Sequence, residues 1–114
     1  MADDDGPYVI LPHGDAAEDL GLTLAELARL VQLGHLVEVP IGDYGETMVR
    51  DDETMRRLRR DLVACVEGGH CPTCRSALTA SERSPEGWRH CRQCRRGWRI
   101  EDGPRGRRPV RREW

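Results

Sequence analysis

Four of the five cysteines in this chain lie close together, as Cys71 and Cys74 followed by Cys91 and Cys94. Each pair has two residues between its thiols, and 16 residues separate the pairs. A two-residue spacing lets one tight turn aim both sulfurs at the same ion, and two such turns complete the tetrahedron that Zn²⁺ prefers. The spacing falls within the four-thiolate zinc pattern. It therefore predicts one structural Zn²⁺ ion bound by the four cysteines.

Three other uses of these cysteines stay open from the pattern. Rubredoxin-type iron takes the same ligand set, although such sites carry more aromatic packing and a glycine after each pair. A redox-active Cys-x-x-Cys motif belongs in a βαβ context, which this region lacks. Structural disulfides are rare in the cytosol. We favour zinc, in a structural role, because four protein ligands leave no position for water or substrate.

The composition indicates a cytoplasmic protein that needs a bound metal ion or a partner to stabilise its fold. Only 38% of the chain is hydrophobic, it has no Phe, and 33% is charged. So polar a small unit buries little apolar surface and tends to require a metal or a partner. The opening residues MADDDGPYV lack the basic flank and apolar run of a signal peptide. No window approaches the roughly 20 apolar residues of a membrane span.

The cysteine segment, about residues 70–101, resembles the zinc-ribbon family. The matching features are the CPTC and CRQC motifs and the tryptophans Trp88 and Trp98 that flank the second motif. The resemblance implies that the four cysteines are the ligands. The residues themselves indicate short strands at SALTASE and GWRH around the turn RSPEG, and a third strand at RRGWRI after the second motif. The small residue usual after each motif is replaced here by Arg75 and Arg95.

The first half of the chain reads as a short strand, a helix, a hairpin and a second helix. YVILP is an edge-strand candidate and HGDAAED a loop or a partial turn of helix. Residues 23–34 have helical apolar spacing, with a capping box formed by Thr23 and Glu26. Residues 36–50 alternate like a β-hairpin. A helix then follows, begun by Asp51 or Asp52 and ended by Gly68 and Gly69.

Residues 20–66 resemble a truncated mercury-resistance-type (MerR-like) winged helix-turn-helix. The matching positions are Leu22, Thr23, Glu26, Leu27, Ala28, Asp51, Asp52 and Leu58. The departure from that family is that only one helix finds room before the hairpin, so the element that reads the DNA groove is missing. The predicted fold class is small α+β: a helix-hairpin-helix (winged-helix-like) unit followed by a zinc ribbon of three short strands.

The net charge of the chain changes sign where the cysteine-containing segment begins. Residues 1–67 carry a net charge of −9 and residues 68–114 a net charge of +7. An acidic half is repelled by phosphate, whereas a basic ribbon is attracted to it. The alternative is that both tryptophans form the core of the ribbon and the arginines are merely solvated. The candidate nucleic-acid or partner-binding residues are Arg89, Arg92, Arg95, Arg96, Arg99, Trp88, Trp98, Arg107 and Arg108.

These observations predict a small zinc-binding adaptor or regulator. The expected parts are a disordered acidic N-terminus (1–7), an acidic interaction unit (8–68), the ribbon (69–102) and a flexible Arg/Pro-rich tail (103–114). We expect the acidic unit to bind a protein and the ribbon to bind nucleic acid or a nucleoprotein complex. By resemblance the role is in transcription, with RNA polymerase or another large assembly as partner. The alternative is an accessory subunit that docks onto an enzyme assembly without touching nucleic acid.

Other residues carry weaker signals. His70 and His90 precede cysteines but are not needed as ligands, and Cys65 reads as a small buried hydrophobe. Trp114 is a candidate anchor for a partner pocket, although we favour an unstructured terminus. No nucleophile-base-acid set, phosphate-binding glycine loop or open metal site is present in the sequence, so we expect no enzyme activity.

Overall fold

The computed structural model describes residues 9–80 and 87–113, with the side chain of Ala80 left aside. Within these ranges the chain has three helices and two antiparallel sheets, an α+β arrangement. It divides into two compact units. The first unit comprises residues up to 18 and 22–58, and the second comprises 19–21 and 59–114. The expected N-terminal disorder over residues 1–7 lies outside the described residues, as do most of the turn RSPEG and Trp114.

The first unit contains a three-stranded sheet and helical segments around it. Its strands, in the order β1-β3-β2, pair antiparallel throughout. The β2–β3 hairpin matches the prediction for residues 36–50. In chain order the elements are β1 (Val9–Leu11), α1 (His13–Leu20), α2 (Leu24–Gln32), β2 (Glu38–Ile41), β3 (Glu46–Asp51) and the first part of α3 (Glu53–Glu67).

Capping side chains fix where α2 and α3 begin. The hydroxyl of Thr23 accepts the Glu26 N–H and the Glu26 carboxylate accepts the Thr23 N–H, so the predicted capping box is present. At α3, Asp52 Oδ1 accepts the Met55 N–H at 3.0 Å, and Oδ2 accepts a hydrogen bond from Arg50 Nε at 2.9 Å. Burial raises the pKa of Asp52, but these hydrogen bonds outweigh it and lower the pKa overall.

Helix α1 corrects the prediction of a loop or a partial turn of helix at HGDAAED, since it is a helix of eight residues. Ala16, Ala17 and Leu20 lie on one side of it and are buried, which is the spacing of a short amphipathic helix. Two alanines signal burial weakly in a sequence because they are small, and this explains why the helix was missed. Two helices therefore precede the hairpin, and the statement that only one finds room there was wrong.

The second unit contains a four-stranded sheet in the order β4-β5-β6-β7. Its strands are β4 (Thr79–Ala80), β5 (Arg89–Cys91), β6 (Arg96–Gly103) and β7 (Gly106–Glu113). The three predicted strands fall on β4, β5 and β6. Trp98, at 0% exposure, packs with Val66 of α3, Cys71 and Cys91 in the core of this unit.

Strand β7 corrects the prediction of a flexible tail over residues 103–114. It pairs with β6 along its whole length, from Gly103 opposite Gly106 to Arg96 opposite Glu113. The segment looks disordered in sequence because it is rich in Arg, Pro and Gly. Its arginines are ordered by partners far away in the sequence: Arg105 binds Asp19, and Arg107 binds Glu67. The sheet of the second unit consequently has four strands, and not the three predicted.

The end of α1 belongs to this second unit and meets the β6–β7 hairpin. Gly21 has φ +66, and a Cβ there would lie 2.8 Å from Trp98 Cζ3 and 2.9 Å from the Pro109 carbonyl oxygen. Arg111 Nε donates to the Gly21 carbonyl at 3.1 Å. Only glycine combines this conformation with such a close approach.

Candidate metal centre

The four predicted ligands converge in the second unit. The sulfur atoms of Cys71, Cys74, Cys91 and Cys94 all lie within 4.8 Å of one another. Cys74 Sγ is 3.5 Å from Cys91 Sγ, and Cys71 Sγ is 3.9 Å from Cys94 Sγ. A tetrahedral site with Zn–S bonds of about 2.3 Å requires sulfur separations of roughly 3.8 Å. The group therefore has the size of a four-thiolate metal site, and all five cysteines are free thiols, which excludes disulfides.

Each Cys-x-x-Cys pair sits on the same kind of backbone turn. The Arg75 N–H donates to the Cys71 carbonyl at 2.8 Å, and the Arg95 N–H donates to the Cys91 carbonyl at 2.9 Å. Both arginines have left-handed backbones, with φ 66 for Arg75 and 54 for Arg95. This conformation costs roughly 1–2 kcal/mol for a residue other than glycine. Despite this cost, both turns keep their closing hydrogen bonds with arginine at these positions.

The sheet and α3 hold the two turns in place. Cys91 ends β5 and pairs with Arg96 of β6, which fixes the second turn on the sheet. The first turn follows the end of α3, where Gly69 has φ +83 and His70 bridges to Ala77. The sulfurs consequently meet through long-range packing between α3 and the sheet.

The thiols differ in their surroundings. Hydrogen bonds from the side chain and the backbone of Ser76 lower the pKa of Cys74 to about 6. Burial raises the pKa of Cys91 and of Cys94. Four thiolates packed this closely repel one another unless a cation neutralises them, and soft sulfur donors select zinc, iron or copper(I) over hard cations. The donor set therefore fits one metal ion, and its chemistry suits both the predicted zinc and rubredoxin-type iron.

Neither histidine is part of the sulfur cluster. His70 is exposed, and His90 is 4% exposed, with its carbonyl accepting a hydrogen bond from the hydroxyl of Thr79. Cys65 is half-buried, and its sulfur accepts a hydrogen bond from Arg75 Nη1 at 3.1 Å.

The predicted tryptophan sites are buried. Trp98 has no exposed surface, and Trp88 retains 8%. Trp98 therefore has no ring face available for stacking against a base. The guanidinium carbons of Arg99 and Arg112 lie 4.6 Å and 4.4 Å from the centre of the Trp88 ring. Arg112, absent from the predicted set, is thus brought to Trp88 by the pairing of β6 with β7.

The predicted arginines fall into two groups. Several interact inside the unit: Arg89 with the Val66 carbonyl, Arg96 with the Thr73 hydroxyl, Arg99 with Glu101, Arg107 with Glu67, and Arg108 with Asp19. Arg92 and Arg95 are exposed on the second Cys-x-x-Cys turn and form no ion pair with any carboxylate of residues 9–80 and 87–113. Five of the seven predicted arginines therefore have partners within the unit.

Asp19 is a buried carboxylate paired with arginines, and the sequence did not single it out. It is 1% exposed, and its carboxylate is approached by Arg59, Arg105 and Arg108. The Arg105 Nη2 to Oδ1 distance is 2.9 Å, and the Arg59 Nη2 to Oδ2 distance is 3.4 Å. No local sequence signal marks it, because its partners lie 40 or more residues away along the chain.

Comparison with protein-family models, curated proteins and solved structures finds no match to this chain. No helix within the described ranges combines the length and the apolar character needed to span a bilayer.

Proposed function

We propose that this protein is a small cytoplasmic zinc-binding adaptor associated with transcription. Its second unit would contact nucleic acid or a nucleoprotein complex, and its first unit would bind a protein. The observation that carries the proposal is the convergence of four cysteine sulfurs within 4.8 Å. Such a set fills the coordination sphere of the ion, so the metal holds a module together and has no open position for catalysis.

Positive charge supports the contact with nucleic acid. Residues 68–114 carry a net charge of +7, which becomes about +5 once Zn²⁺ and four thiolates contribute −2. Arg92 and Arg95 lie exposed on the second Cys-x-x-Cys turn. Such arginines suit phosphate contacts. The buried tryptophans remove base stacking by Trp98 from the proposal and leave phosphate binding as its chemistry.

Exposed apolar side chains support the protein contact of the first unit. Leu24 at the start of α2 is 60% exposed, and Leu33 just after its end is 58% exposed. The surrounding half of the chain is acidic, with a net charge of −9 over residues 1–67. An apolar and acidic surface favours a protein partner over DNA. RNA polymerase or another large transcription assembly remains the partner we propose.

A second candidate function is an accessory subunit of a larger assembly that does not contact nucleic acid. It is favoured by the internal pairing of Arg107 with Glu67 and of Arg108 with Asp19. Arginines that are neutralised within the unit are less available for phosphate.

Two measurements test the proposal. Metal analysis should find one zinc per chain, and Co²⁺ in its place should give the visible bands of a tetrahedral thiolate site. Fluorescence anisotropy of the zinc-loaded protein with duplex DNA, single-stranded DNA and RNA should show affinity whose logarithm falls linearly with the logarithm of salt concentration. Iron instead of zinc would refute the metal assignment. Absence of binding at low salt would reject the nucleic-acid contact in favour of the accessory subunit.

A further inference from the structure

One face of the four-stranded sheet carries a tryptophan that contacts two arginines. Trp98 faces the core, and side chains alternate along a strand, so Arg99 projects from the opposite face of β6, on which Gly97 leaves a position without a side chain. Arg99 and Arg112 place their guanidinium carbons 4.6 Å and 4.4 Å from the centre of the Trp88 ring. Both distances are within the range of a cation–π contact.

The side chain of Arg112 reaches Trp88 across Gly97, which has no side chain of its own. In the sheet register Gly97 lies between His90 of β5 and Arg112 of β7. A Cβ at Gly97 would lie 3.3 Å from both Arg112 Cγ and His90 Cδ2. The aliphatic part of Arg112 thus crosses the strand where β6 has no side chain. This long side chain is consequently held along its length, although the residue is exposed.

The charge on Arg112 is not neutralised within the described part of the chain. No carboxylate among residues 9–80 and 87–113 forms an ion pair with it. The adjacent Glu113 instead pairs with Arg96 and Arg111. Arg112 therefore combines an exposed charge with a guanidinium carbon that lies 4.4 Å from the centre of the Trp88 ring.

We propose that Arg112 binds a phosphate of the nucleic-acid backbone, and that Trp88 is a positioning residue for Arg112 and Arg99. This rests on the proposed nucleic-acid contact and assigns part of it to the sheet face. A guanidinium stacked on a ring keeps its N–H edge for a bidentate contact with phosphate oxygens. Because the side chain is already ordered, less rotamer entropy is lost on binding. With 8% of its surface exposed, Trp88 acts through the arginines and not by stacking on a base.

The test uses the zinc-loaded full chain and anisotropy with duplex DNA, single-stranded DNA and RNA over a range of salt. Arg112→Gln should lower the salt slope by about 0.7–0.9, which is roughly a five- to eightfold loss of affinity at 0.1 M salt. Arg57→Gln is the matched control, since it removes the same charge from an exposed arginine of α3. We expect it to change the slope by much less.

Variants of Trp88 test positioning. Trp88→Leu should lower the slope as Arg112→Gln does, and Trp88→Phe, which keeps a ring, should restore it. The Nε–Hε NMR signal of Arg112 should shift on titration with the oligonucleotide in the wild type and in Trp88→Phe. Equal slopes for Arg112→Gln and Arg57→Gln, in a wild type that binds, would overturn this inference and leave the proposed function standing. A wild type that binds none of the three nucleic acids would refute both.

Discussion

Removing the charge of Asp19 should destabilise the second unit severely. The carboxylate is 1% exposed and accepts a hydrogen bond from Arg105 Nη2 at 2.9 Å, with Arg59 Nη2 at 3.4 Å. In Asp19→Asn, Arg59 keeps its charge at 6% side-chain exposure and loses this anion. Breaking a buried ion pair in this way costs about 3–5 kcal/mol. Arg105 and Arg108 are more exposed, at 26% and 17%, so water compensates them in part.

Tryptophan fluorescence during urea unfolding measures this effect selectively. All three tryptophans follow residue 87, so the signal reports the second unit. Since small domains are stable by about 5 kcal/mol or little more, we expect Asp19→Asn to be largely unfolded at low urea concentration. Asp61→Asn, the same change at an exposed position of α3, should cost less than about 0.5 kcal/mol. A loss below about 1 kcal/mol for Asp19→Asn would refute the reasoning, since it would mean that water solvates the cluster.

Three further predictions concern a glycine, the metal and pH. Gly21→Ala should destabilise the second unit by at least about 2 kcal/mol in the same urea assay, because the new Cβ would clash with Trp98 and the backbone φ is +66. Gly14→Ala, which has open space around its Cβ, should have no such cost. Cys91→Ser or a chelator should remove the zinc and abolish the native tryptophan signal while circular dichroism from the helices of the first unit persists; loss of the whole helical signal would contradict this. Because the folded-state pKa of Asp52 is lowered, its contribution exists above the ordinary value of 3.8 and is lost as the pH falls through the lowered value. Unfolding of the first unit, followed by circular dichroism at pH 5 and pH 3, should show this loss in the wild type, and Asp52→Asn, an equally good cap, should reduce it.

The cluster of four cysteines, the candidate metal site, is the part of this protein that its sequence determined most fully. The spacing of Cys71, Cys74, Cys91 and Cys94 predicted the ligand set, and the sulfurs converge as predicted. Spacing suffices here because each turn is local, and two equal turns have few ways to share one tetrahedral ion. The capping box of Thr23 and Glu26 was predictable for the same reason: both partners lie within one helical turn.

Tertiary structure alone decided the features whose partners are distant in sequence. An arginine-rich segment forms strand β7 because it pairs with β6 residue by residue and because Arg105 and Arg107 bind the carboxylates of Asp19 and Glu67. Trp98 lies in the core, and not on the surface, because it packs with Val66 of α3 and with the cysteines. Composition and periodicity describe a segment by its own residues. They cannot predict that a carboxylate 86 residues away stabilises a charged segment by an ion pair.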